Sequence, residues 1–172
     1  MSVSMYRLTV PVFQRGLKTL STYLDKAEAY ATEKGIDSSI LVNARLAPDM
    51  LSLAGQFQRA TDTAKFGITR LTSTDAPKFE DNETTLAELR ERIAKAEAYL
   101  ATVTPDMLDG AEKTEVTRQI GGKAGKTVTL SGDEYLAMFV LPNFYFHIGM
   151  AHAILRNQGA PVGKMDYLGN FG

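Results

Sequence analysis

The chain has 172 residues, 44% of them hydrophobic and 23% charged, an ordinary globular composition and enough length for a packed core. A formal charge of −1 gives no field to draw it to nucleic acid or to an anionic membrane. The absence of cysteine excludes disulfides, thiolate metal sites and cysteine nucleophiles, and fits a reducing cytoplasm.

The N-terminal MSVSMYRLTVPVF has no uninterrupted apolar run of the kind that marks a signal peptide. The first predicted helix covers Ser4 to Lys34. Met5, Leu8, Val12, Leu20, Tyr23, Ala27 and Tyr30 follow helical spacing through Pro11, and Gly35 is a natural stop. Residues 35–48 read as a connection whose Ile40-Leu41-Val42 patch tucks under one end of the helices. A second helix is predicted to start near Pro48-Asp49, since proline suits a first turn and aspartate suits the positive end of the helix dipole. Its seam of Met50, Leu53, Phe57, Thr61, Ala64, Ile68 and Leu71 is the most regular in the chain, and Gln56 flanks it.

A polar loop, residues 72–84, has Phe79 as its anchor. The third helix follows, with a capping box of Thr85 and Glu88 and a seam of Leu86, Leu89, Ile93, Ala96, Leu100 and Val103. Glu88, Arg90, Glu91, Arg92, Lys95 and Glu97 read as its solvated face, with a protein-interaction surface as the sharper alternative. Thr104-Pro105-Asp106 marks a further short start. The period then changes from helical to alternating. Thr114–Ile120 and Lys126–Leu130 read as a two-stranded hairpin about the glycine-rich 121–125 turn. Gly125-Lys126-Thr127 imitates the end of a phosphate-binding loop, but Ile120 stands where that motif needs glycine and a strand follows.

The last helix, Ser131 to Gly159, carries the longest apolar run, both histidines and the interior Pro142. The stretch Leu136–Met150 reads as too short and too interrupted to span a bilayer, so no membrane partner is expected. Leu136, Val140, Asn143, His147, Met150 and Ile154 form one face by spacings of four and three. Asn143 and His147 are therefore adjacent on it. A buried amide and imidazole need partners, and Pro142 frees a backbone carbonyl beside them. A ligand pocket lined by Asn143, His147 and Gln56 is the expectation, set against a core pair satisfied internally. His147 and His152 are five apart, roughly 140° around a helix, so they cannot chelate one ion together. His147 is the one credible metal ligand, and His152 reads as a surface or interface residue. Residues after Gly159 should fold back through Tyr167, Leu168 and Phe171.

Several segments together resemble a known family. They are Arg45-Leu46-Ala47-Pro48-Asp49-Met50; Gln56-Phe57-Gln58-Arg59-Ala60 with Asp62 and Lys65; Phe79-Glu80-Asp81-Asn82-Glu83-Thr84; Leu86-x-x-Leu89-x-x-Arg92-Ile93; Leu141-Pro142-Asn143-Phe144-Tyr145-Phe146-His147; and residues 159–169. The chain is similar, over nearly its whole length, to an uncharacterised bacterial domain-of-unknown-function family of the DinB/YfiT-like superfamily. The resemblance implies a mainly α fold, an up-down-down-up four-helix bundle over a single domain 1–172, here with the hairpin inserted before the last helix. It also implies a homodimer. Many relatives hold a divalent metal by one histidine of the second helix and two of the last, and some are thiol-dependent transferases or isomerases. In this chain the second helix has no histidine, and Gln56 is the nearest polar substitute. The resulting expectation is a cytoplasmic bundle with a small-molecule ligand near Asn143 and His147. A metal- or thiol-dependent transferase is the alternative.

Overall fold

Ser4 starts α1 (Met5–Lys34) by accepting the Arg7 N–H, and Gly35 ends it in the left-handed conformation, φ 63°, donating to Ala31 and Thr32. The structure is a computed structural model, and it describes residues 3–121 and 125–169. The helix runs through Pro11 without a break. Its buried face is Met5, Thr9, Phe13, Leu17, Leu20, Leu24 and Ala27, whereas Leu8 is turned outward. Thr9 can occupy the core because its hydroxyl donates to the Met5 carbonyl at 2.8 Å.

A short helix, α2 (Ser39–Asn43), lies in the predicted connection, with Leu41 and Val42 buried and Ile40 exposed. Pro48-Asp49 does not start the next helix. It occupies a turn closed by Met50 N–H to Ala47 O at 3.0 Å, where proline at the second position is equally at home. The helix α3 (Leu53–Thr72) begins four residues later, with the Ser52 side chain capping Gly55 N–H. Its predicted seam from Leu53 to Leu71 is buried. The Thr85–Glu88 capping box is present at the start of α4 (Leu86–Leu100).

Two short 3-10 turns, Pro105–Leu108 and Ala111–Lys113, lead into an antiparallel hairpin of β1 (Val116–Ile120) and β2 (Lys126–Leu130). Its register pairs Val116 with Leu130 and Arg118 with Val128, so these four share one face, and Val116 and Leu130 pack on the core. Residues 122–124 of the predicted turn lie outside the described residues.

The last helical run is divided. α5 (Gly132–Tyr135) passes through one wide π turn, Leu136–Val140, into α6 (Leu141–Asn157). The Leu141 N–H reaches back to Leu136 O, five residues rather than four. This widened turn directly precedes Pro142, the residue that cannot donate to the ordinary ladder. After Gly159 the chain folds back along α1 and enters α7 (Lys164–Leu168). Arg15 donates to Leu168 O, Lys26 meets Asp166 at 2.7 Å, and the Tyr30 hydroxyl donates to Gln158 O at 3.0 Å. Phe171, also expected to fold back, lies outside the described residues.

The molecule is thus mainly helical with a small antiparallel hairpin. α6 packs on α3 and α1, and α4 closes the other side against the same two helices. Phe13, Leu17, Phe57, Ile68, Leu89, Val140, Phe144 and Ile148 fill the space between. Gly16 admits the Phe144 ring, whose nearest carbon would stand 2.3 Å from an added Cβ. From Gly132 to Asn157, α5, the wide turn and α6 form a run long and apolar enough to cross a membrane, longer than the 136–150 stretch suggested. The helical run Gly132–Asn157 has a mean hydropathy of 1.3 over its best 18 residues, of which 39% are buried against the rest of the protein.

Candidate functional site

The seam between α3 and α6 carries two polar pairs. His147 Nδ1 lies 2.8 Å from Gln56 Oε1, and Asn143 Nδ2 donates to Thr63 Oγ1 at 2.7 Å. Residues 56 and 63 are seven apart on α3, and 143 and 147 are four apart on α6, so both pairs stand on facing ridges. Gln56 is oriented by its own amide, because its Nε2 donates to Leu51 O at 3.2 Å. The oxygen therefore faces the ring, Nδ1 of His147 carries the proton, and Nε2 holds the lone pair. The ring is only 8% exposed. Burial first, and the positive charge of Arg59 second, push its pKa down to about 4, so the imidazole is neutral at pH 7.

A small cleft of about 180 Å³ opens one turn further along the seam. Arg59, Asp62, Thr63, Arg70, Arg118, Tyr135 and Asn143 supply its polar lining, and Phe66 and Phe139 its apolar walls. Asn143 lines this cleft, whereas His147 and Gln56, expected to share one pocket with it, pair with each other outside the lining. Three arginines reach the cleft from α3 and the hairpin. Arg118 was not singled out by sequence. The signal was its place two residues after Val116, on the inward face of a strand. A larger cleft of about 510 Å³ separates α1 from α7, and its lining ends at Gly169, the last described residue.

Behind the cleft lies an ion cluster that overturns the reading of Arg92 as solvated. Arg92 is 2% exposed. Its guanidinium donates to Thr61 at 2.6 Å, Glu83 at 2.9 Å, Asp62 at 3.1 Å and the Gln58 carbonyl at 3.2 Å, and lies 2.8 Å from Asp81. Lys65 meets Asp62 at 3.1 Å, and Arg59 meets Asp81 at 2.7 Å. Three cations thus face three carboxylates. Phe79 anchors the loop, as expected, by lying beneath Lys65 Nζ at 4.2 Å and the Arg92 guanidinium at 4.5 Å. Burial opposes ionisation of Glu83, but hydrogen bonds from Arg92 and Gln58 outweigh it and hold the carboxyl below its usual range. Glu88, one turn before Arg92, does not join this cluster among the described residues, because it is occupied by the cap, where it accepts from Thr84 and Thr85. Arg90 reaches across to Asp25 and Glu28 of α1.

His152, read from the sequence as a surface or interface residue, is half-buried. Its Nδ1 is 3.1 Å from the hydroxyl of the fully buried Tyr23, and the Tyr167 ring meets it edge-on. The three-histidine metal arrangement of the superfamily does not fit this seam. One imidazole is present, its Nδ1 proton is committed to Gln56, and the described residues hold no group of three or more histidine or acidic side chains placed to hold an ion.

With the fold and the seam in view, comparison with known proteins gives the class. Residues 5–168 match the family described as "Domain of unknown function (DUF1993)", and the chain belongs to that family. It is also similar to a solved protein described as a DinB family member from Shewanella denitrificans. The two share 44% identity with a TM-score of 0.89, over 97% of this chain and 93% of that one. The fold is therefore DinB-like. No curated protein matches the chain.

Proposed function

We propose that the protein is a cytoplasmic binding protein for a small polar ligand, received beside Asn143 in the cleft between α3, the hairpin and α6. The observation that carries this is a recess between packed elements whose lining combines hydrogen-bonding groups from α3, β1, α5 and α6 with two aromatic walls. In this reading Asn143 touches the ligand, and the His147–Gln56 pair fixes the spacing of α3 and α6 next to it. Its test is chemical-shift mapping of the labelled protein against a library of small polar compounds. Saturable shifts at the Asn143 side-chain amide, lost in Asn143→Ala, support it. A library that leaves the cleft residues unmoved removes it.

We also infer that the chain acts as one up-down-down-up domain and pairs as a homodimer through α6. The ring of packing α1–α6–α3–α4, with its long connections before α3 and before α4, supports the topology. The outer face of α6 supports the pairing. Pro142 and Phe146 are exposed there beside half-buried Gly149 and Ala153, and Met138 is 70% exposed one turn earlier. Nothing stands within 4 Å of where a Gly149 Cβ would project. A large ring and an open hollow one turn apart are self-complementary across a two-fold axis.

A further inference from the structure

Two arginines meet in the cleft with no carboxylate between them. Arg118 brings its Nε to a position closed to solvent where it has no hydrogen-bond acceptor. Arg70, near the end of α3, gives Nη1 to the Tyr135 hydroxyl at 2.9 Å and lies over the Phe66 ring at 4.6 Å. Among the described residues neither arginine has an ion-pair partner. The acid that lines the same cleft, Asp62, is held by Lys65 and Arg92 at 3.1 Å each and by Arg59 at 3.4 Å. The contrast with the ion cluster next door is direct. There every guanidinium meets a carboxylate, and here two guanidiniums have none.

This arrangement is unfavourable as it stands. A buried donor without an acceptor forfeits the hydrogen bond it made to water, and like charges sharing a recess repel. Burial, and then the charge of Arg70, push the Arg118 pKa below its usual value. One incoming group relieves all of this. An acidic oxygen accepts from Arg118 Nε and offsets both charges. It also accepts a hydrogen bond from the Tyr135 hydroxyl, whose oxygen is already an acceptor for Arg70.

We propose that this end of the cleft is a subsite for the anionic group of a small ligand, a carboxylate or a phosphate, gripped by Arg118 and Arg70 and by the hydroxyl of Tyr135. It rests on the reading of the cleft as a small-ligand site and names the chemistry of that ligand. Guanidinium suits both anions because its planar fork matches their paired oxygens. At about 180 Å³ the cleft is smaller than the roughly 300 Å³ at which drug-sized sites begin. It therefore accepts one acidic group with a short carbon chain between Phe66 and Phe139, and Asn143 faces the uncharged remainder.

Calorimetric titration of the full chain at low ionic strength tests this, with inorganic phosphate, acetate and neutral acetamide as probes. Saturable one-to-one binding of phosphate or acetate, at least tenfold tighter than acetamide, is expected. The stronger of the two assigns the group as phosphoryl or carboxyl. Arg118→Gln and Arg70→Gln should each weaken that binding tenfold or more, and Arg156→Gln, on the exposed end of α6, should leave it unchanged. Melting temperature in anion-free buffer separates binding from folding. Arg118→Gln should melt at or above the wild-type temperature, because an uncompensated charge is removed. A lower melting temperature, or anion binding that survives the substitution, assigns Arg118 a structural role and overturns the subsite. Acetamide binding as tightly as either anion overturns it too and leaves the small-ligand reading intact. The absence of any binding overturns it as well, and the compound library then decides the broader reading separately.

Discussion

Protonating His147 means placing a charge beside Arg59 in a space nearly closed to water. The folded pKa of about 4 lies below the ordinary 6.5, so the unfolded chain binds the proton first as pH falls. The stability that comes from keeping this ring neutral is complete above pH 6.5 and is lost on the way down to about 4. At ~1.4 kcal/mol per unit the loss is on the order of 3 kcal/mol. Urea unfolding at pH 7.5 and 4.5 should show wild type losing about 2–3 kcal/mol more than His147→Leu. That variant should itself be weaker at pH 7.5 by about 1–3 kcal/mol, because Gln56 Oε1 is left without a donor. The inward ring was legible in the sequence, since His147 lies four residues from Asn143 on a face otherwise apolar. Arg92 was not legible, because it stands among Arg90, Glu91 and Lys95 and shares their chemistry. Its position carried the missing information: Leu89, Arg92, Ala96 and Tyr99 step by three, four and three along the buried side of α4. Arg92→Met keeps the bulk and leaves Asp62, Asp81 and Glu83 short of a cation. A loss of about 3–5 kcal/mol in the urea transition is expected. Arg92→Lys should recover little of it, because one ammonium cannot reach acceptors on both α3 and the loop.

Among the elements, the last helical run is held in place by a contact that no periodicity reveals. An added Cβ at Gly132 would stand 1.8 Å from the Ala111 carbonyl oxygen, a backbone atom that cannot rotate away. Gly132→Ala should therefore cost at least about 1–3 kcal/mol and shift the hairpin against α5, visible as altered amide shifts in β1 and β2. Within one protomer Gly149→Ala meets nothing within 4 Å, so at concentrations that dissociate the proposed pair it should be neutral or stabilise α6 by up to about 1 kcal/mol. The types and order of the long helices and the hairpin followed from their periods; β1 starts two residues later than expected, at Val116, and β2 and the Thr85 cap lie where expected. The start of α3 did not, because Pro48-Asp49 and Ser52 are both plausible beginnings by residue type. Only the chain's return, through Leu53 N–H to Ala44 O at 2.9 Å, selects the second.

At the scale of the whole molecule, α6 serves both the core and the surface. Phe144, Ile148, Ala151 and Leu155 close the core, while Phe146 is 52% exposed on the opposite side. A chain this close to electrical neutrality does not repel its own copy, so the apolar outer face is free to be covered by pairing. Sedimentation equilibrium should give twice the 18.8 kDa chain mass at micromolar concentration, and Phe146→Glu should return it to one. A wild-type protein that sediments at 18.8 kDa removes the homodimer. The stretch before α4 has a different consequence. Residues 73–85 have no regular structure, yet their far end is fastened by Arg92, Arg59 and Gln58 through Asp81 and Glu83. Proteolytic nicking near Thr74 or Asp75 would therefore leave both fragments docked together, a cut strap whose buckle stays closed.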